Sequence, residues 1–311
     1  MLLDGIPLLA HPLKTPAAFT PEALLSAVRA KRGLKCEPVP PVCVLEFDGD
    51  LTDWLVSSGV ARPWKPWACF HTTMYSVEVD GTPCGVVPRT IGGPYAVLIA
   101  EQLRASGARV VLGLTSAGRV SGSLPVPSLV VPTLAIRDEG TSYHYLPPSP
   151  SVPADADLVD RLATGLQGLG LPVSRGAVWT TDAPYRETND QLAKYSEQGV
   201  LAVEMQAASL FAFAVAQGIP VGMVAHVTNA VDHDQDPFNK GSHPFGQRLL
   251  ETMYRAVKTY LNRAEDVPPQ RTTSSNNQTR SLQRTDCIGE LGHREPESTY
   301  RRSHRNRDPS N

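Results

Sequence analysis

The chain has 311 residues, 41% of them hydrophobic and 19% charged, with a formal net charge of −2. That balance suits a core-forming α/β protein and supplies no basic surplus for gripping nucleic acid, so a small-molecule partner is expected. Five cysteines (Cys36, Cys43, Cys69, Cys84, Cys287) form no C-x-x-C pair, and Asp4 stands where a leader would be basic; reduced, mostly buried thiols in a cytoplasmic protein are expected.

Residues 1–41 form a Pro-punctuated N-terminal extension with one helix predicted from Pro21 to Lys31, after the cap-like Thr20. VCVLEF (42–47) reads as a strand and DLTDWLVSS (50–58) as a short helix. MYSVEV (74–79) and CGVVP (84–88) flank Asp80-Gly81, a hairpin signal. Pro94–Ala105 is helical, and RVVLGL (109–114) and SLVVPTLAI (128–136) are apolar strands around it in sequence. A helix over 156–170 and strands at AVWTT (177–181) and LAVEM (201–205) follow. The longest apolar stretch, residues 207–225, is broken by Gln217, Gly218 and Pro220, so it reads as helix, turn and strand and not as a membrane span. A last amphipathic helix is expected over 244–261. This alternation predicts an α/β three-layer sandwich, a mixed central sheet covered by helices on both faces, over 42–265. Residues 266–311, rich in Arg, Ser, Thr, Asn and Pro and lacking Lys, are expected to be a disordered tail.

Three stretches carry a resemblance: GLTSAG (113–118), VPTLAIRDEGTSYHYLPP (131–148) and the long run 180–221, which holds T-D-A-P-Y-R-E-T and V-E-M-Q-A-A-S-L-F ahead of G-I-P-V. Together they resemble the uridine/purine nucleoside phosphorylase superfamily, over roughly residues 42–262. The resemblance implies cleavage of the N-glycosidic bond of a uridine-like or 6-oxopurine nucleoside, with phosphate as co-substrate and no other cofactor. It also implies a homo-oligomer in which a neighbour completes the sugar site, a part His11 could play.

The residue roles come with that resemblance. Met205 would lie under the sugar as a soft apolar platform, flanked by Glu204 and Gln206. Gln206 stands where the motif carries a carboxylate, so ribose should be gripped more weakly, or the sugar is modified. Glu204 and Gln206 also suit a plain helix start. Tyr185, with Asp182, would meet the base, and Asn229 would read an oxo group and ring N–H as a catalytic residue. Ser116, also catalytic, and Thr115 would hold phosphate with Gly49 of the Gly49-Asp50 turn. The positions matched to phosphate-gripping arginines are Asp53, Phe70 and Gly113, which removes bidentate anion recognition. Arg89 or Arg119 could substitute, or water could replace phosphate, making the protein a nucleosidase; a non-catalytic nucleoside-binding or storage protein is the further alternative. Arg137 is expected to form a structural salt bridge in its loop, His226 to be a core histidine, and Asp232, His233, Asp234 and Asp236 to lack metal-ligand spacing.

Overall fold

A computed structural model describes residues 6–230 and 241–264 of the chain. The 266–311 tail and the 232–236 cluster lie outside the described residues. Helix α1 (Pro21–Arg32) starts where Thr20 accepts a hydrogen bond from the Ala23 N–H and stops at Gly33, whose φ of 63° is the left-handed turn that glycine adopts without cost. Strand β1 (Val42–Glu46), buried throughout, leads into α2 (Asp50–Ser57). A short β2 (Ala61–Pro63) precedes the hairpin of β3 (Tyr75–Val79) and β4 (Thr82–Pro88). Its turn has positive φ at both Asp80 and Gly81, as the Asp-Gly signal requires. Helix α3 (Gly93–Ala105) is followed by β5 (Val110–Arg119), β6 (Ser128–Asp138) and β7 (Ser151–Pro153). Then come α4 (Ala156–Gly165), β8 (Val173–Thr181), α5 (Asn189–Glu197) and β9 (Ala202–Glu204). Helix α6 (Ala207–Gln217), β10 (Val221–Ala230) and α7 (His243–Ala264) complete the order.

The strands form one mixed sheet, in the order β10-β6-β8-β9-β5-β1-β4-β3-β2 with β7 on β6. β10 also pairs with β5, so five strands close into a barrel and the sheet is not open along its whole width. Helices cover both faces. One core layer joins α3 and α6 to the sheet through Leu103, Leu210, Phe211 and Phe213. The other joins α2, α4 and α7 through Leu55, Leu158, Leu162, Leu250 and Met253. Helix α6 is apolar on nearly every side because it is buried between α3 and the strands. No helix among the described residues is long and apolar enough to cross a membrane.

Two small strands and one helix escaped the sequence pattern. β2 and β7 are three residues each, too short for a period-2 signal. Helix α5 did carry a signal: Thr188 and Gln191 form a capping box, each side chain accepting from the other's backbone N–H.

Candidate active site

The parallel strands β1 and β5 pair from Val42↔Val110 to Glu46↔Leu114, and β10 pairs alongside β5 with His226 opposite Ser116. Their carboxyl ends, the start of α6 and the loop after β8 enclose a cleft of about 480 Å³. A register shift between Val227 and Asn229 interrupts the alternation of β10, so that both Thr228 and Asn229 line the cleft. Thr115 and Ser116 come from β5, Glu204, Met205 and Gln206 from the β9–α6 junction, and Tyr185 from the rim, where it is fully exposed.

The cleft thus gathers seven of the residues expected from sequence: Thr115, Ser116, Tyr185, Glu204, Met205, Gln206 and Asn229. Two others lie elsewhere. The Asp182 carboxylate accepts from the Gly140 N–H (2.8 Å) and lines a separate depression with Asp138, Glu139 and Arg186. Gly49 is buried, and its N–H donates to Glu46 Oε1 at 2.7 Å, so it has no amide to offer a ligand. Its φ of 90° permits a close pass of Arg89, whose side chain lies where a Cβ would be.

Glu204 is an organising residue as much as a lining one. Thr180 Oγ1 donates to one of its oxygens (2.5 Å), and the N–H groups of Gln206 (2.6 Å) and Ala207 (2.8 Å) donate to the other. The carboxylate therefore caps the open amides at the start of α6. Burial raises its pKa to about 7, against the pull of those three donors. Gln206, 2% exposed, turns its side-chain oxygen to the Met205 N–H (3.3 Å) and the Thr115 hydroxyl (3.5 Å).

The corner expected to hold phosphate is acidic. Ser116 donates its N–H to Asp48 Oδ2 (3.2 Å) and its hydroxyl to Asp48 Oδ1 (3.1 Å). Asp48 thus occupies the two donors that an anion would use. Behind it a pocket of about 50 Å³, room for a water molecule, is lined by Asp48, Ser116 and His226. Ligand oxygens of Glu46, Asp48 and Asp50 lie within 4.8 Å of one another. Those of Glu46 are committed to Gly49 and Thr52, and those of Asp48 to Ser116.

No Lys or Arg lines the cleft among the described residues. Arg89 is exposed and paired with Asp53, while Arg119 lines a different depression with Asn189 and Ser196. Phe70 lies under the Arg32 guanidinium. At Gly113 a Cβ would come within 2.9 Å of Met223 Cγ and 3.1 Å of the Phe47 ring, so the core leaves no space for a larger residue there. Arg137 holds its loop through hydrogen bonds to Ser142, Ser149 and the carbonyls of Leu146 and Pro147, where a salt bridge was expected; among the described residues no ion pair joins it. His11 packs on His144 of its own chain, ring centroids 3.8 Å apart. His226 is half-buried against Phe245, and burial lowers its pKa.

A model of the phosphorylase superfamily matches residues 41–262. The chain belongs to that superfamily. It is 26% identical to a uridine phosphorylase of Escherichia coli over 217 residues, covering 65% of this chain and 83% of that one. It is similarly 27% identical to a guanosine phosphorylase of Halorubrum lacusprofundi over 188 residues, covering 60% and 78%. A DeoD-type purine nucleoside phosphorylase of Bacillus cereus is 26% identical over 156 residues, covering 50% and 64%.

Within this phosphorylase-superfamily cleft, Asp48 and Glu187 are residues the sequence did not single out. Asp48 lies two residues past the end of β1, a strand end being where α/β sheets place their ligand groups. Glu187 belongs to the T-D-A-P-Y-R-E-T run and lines the cleft beside Tyr185; burial raises its pKa to about 7.

Proposed function

We propose that the protein splits the base from the sugar of an oxo-base nucleoside and that water, not phosphate, receives the sugar. The observation that carries this is the Asp48 carboxylate seated on the Ser116 amide and hydroxyl. In this reading the sugar lies over Met205 and the base between Tyr185 and Asn229. Asp48 takes a proton from a water whose oxygen bonds to C1′ as the C1′–N bond breaks. The bonding pair leaves with the base, and the Asn229 amide and the protonated Glu187 carboxyl donate to its oxo group as charge develops. Ile91 and Tyr185 leave an apolar rim exposed around the cleft, a surface that a second copy of the chain would cover in a homo-oligomer.

A nucleoside panel (uridine, inosine, guanosine) incubated with and without phosphate tests the reading, with released base and sugar read by chromatography. Equal rates and free ribose are the expected result. Strict phosphate dependence with sugar 1-phosphate would overturn the choice of water and leave phosphorolysis, the route first expected from the sequence. Tight binding without turnover would favour a binding protein.

Glu187 gives the reading a pH dependence with a definite sign. Its carboxyl donates only while protonated, so kcat/KM on an oxo-base nucleoside should fall as pH rises through about 7. Glu187→Gln keeps a neutral donor at every pH and should flatten that limb. A limb unchanged in the variant removes Glu187 from base recognition.

A further inference from the structure

The wall that Asp48 and Ser116 give the cleft has a second side. Thr115, Ser116 and Asp48 line the cleft and also the pocket of about 50 Å³ behind it. That pocket is too small for a nucleoside and suits a water molecule. His226 lines the pocket and not the cleft. The sheet explains its place: His226 on β10 pairs with Ser116 on β5, and paired residues of neighbouring strands project to the same face. The Ser116 hydroxyl donates to Asp48 Oδ1, so the imidazole stands one strand away from that carboxylate. Its ring is held from two sides. Phe245 packs on it, centroids 5.2 Å apart, and a Cβ at Gly241 would come within 2.7 Å of Cε1.

A carboxylate that takes a proton from water must lose it again before the next turnover. A carboxylate has about four lone-pair positions, more than the two donors of Ser116 use, so Asp48 can face a water on either side of the wall. The imidazole is ordinarily the stronger base, so the proton runs downhill from one to the other. Burial lowers the His226 pKa, which leaves the ring neutral at pH 7 and able to accept. No described residue is hydrogen-bonded to its nitrogens. The other ionisable groups of the pocket have different tasks. Glu46 accepts from Gly49 and Thr52, and Asp50 faces His243 of α7 at 3.8 Å. Arg248, also on α7, lies over the Phe245 ring.

We propose that His226 is a positioning residue for Asp48 and draws off, through one water in the small pocket, the proton that Asp48 takes from the attacking water, a role resting on the hydrolytic reading above. The attacking water gives its proton to Asp48 as its oxygen bonds to C1′. Asp48 hands a proton to the pocket water, which passes one of its own to a His226 nitrogen, and the imidazolium releases it to solvent. The test follows base release from the fastest of uridine, inosine and guanosine between about pH 4 and pH 9, in wild type, His226→Gln and His226→Ala. The ring accepts only while neutral, so wild-type kcat should fall as pH drops below 6.5 through its lowered pKa. His226→Gln should lack that limb, lose about tenfold or more in kcat at pH 7 with KM little changed, and keep the alkaline limb assigned to Glu187. Added imidazole should restore turnover to His226→Ala, where the lost ring leaves space, and not to Asp48→Asn. Wild-type kcat with an intact acid limb in His226→Gln overturns this inference and leaves the Asp48 reading standing. Base release from none of the nucleosides by the wild type overturns both. If the variants do not fold, as their melting temperatures will tell, the wild-type acid limb decides. An imidazole midpoint moves with temperature and a carboxylate midpoint hardly does, so a fixed midpoint overturns the inference.

Discussion

Asp48→Asn should lower kcat for nucleoside cleavage by about 10²–10⁴-fold while barely moving the melting temperature. An asparagine keeps an oxygen that can accept from Ser116, so the loop after β1 retains its anchor. What it loses is the ability to take a proton from water. Asp48→Ala goes further: it exposes the Ser116 amide and hydroxyl, two donors suited to an anion, and should make the residual activity rise with added phosphate. Steady-state rates with and without phosphate check both variants. If Asp48→Asn retains wild-type kcat, the carboxylate is an architectural brace and the case for hydrolysis fails with it.

The largest effect on stability is expected at Glu204. Glu204→Ala leaves the N–H groups of Gln206 and Ala207 and the hydroxyl of Thr180 without their acceptor inside the protein. Three unpaired buried donors at about 1 kcal/mol or more each put the loss at about 3 kcal/mol at least. For a domain of this size that is a melting temperature lower by ~6–12 °C. A change under one degree would mean the α6 start finds other acceptors. The native pKa of about 7 lies above the ordinary 4.5, so the folded chain holds this proton where the unfolded chain has released it. The stability that Glu204 contributes is thus full below about pH 4.5 and is lost as pH rises through about 7. Denaturation midpoints across that window should fall less steeply in Glu204→Gln than in the wild type.

Much of this protein was determined locally by its sequence. Apolar β-branched runs such as VCVLEF and VGMVAHVT, the Asp80-Gly81 turn and the Thr20 cap produce their elements through contacts within a few residues, which a linear reading can see. The same holds for the lining residues carried by short motifs, Thr115-Ser116 and Met205-Gln206 among them, because a strand end or helix start positions each pair by itself. The tertiary structure decided what depends on distant partners. Closure of the barrel rests on β10 pairing with β5, segments about a hundred residues apart in the chain. Asp48 meets Ser116 across 68 residues, turning an expected anion site into an acidic one. Asp182, adjacent in sequence to the cleft loop, is drawn to Gly140 instead. Gln206 shows the division within one side chain. The sequence supplies an amide where the family motif carries a carboxylate, but only the folded backbone brings the Met205 N–H to its oxygen.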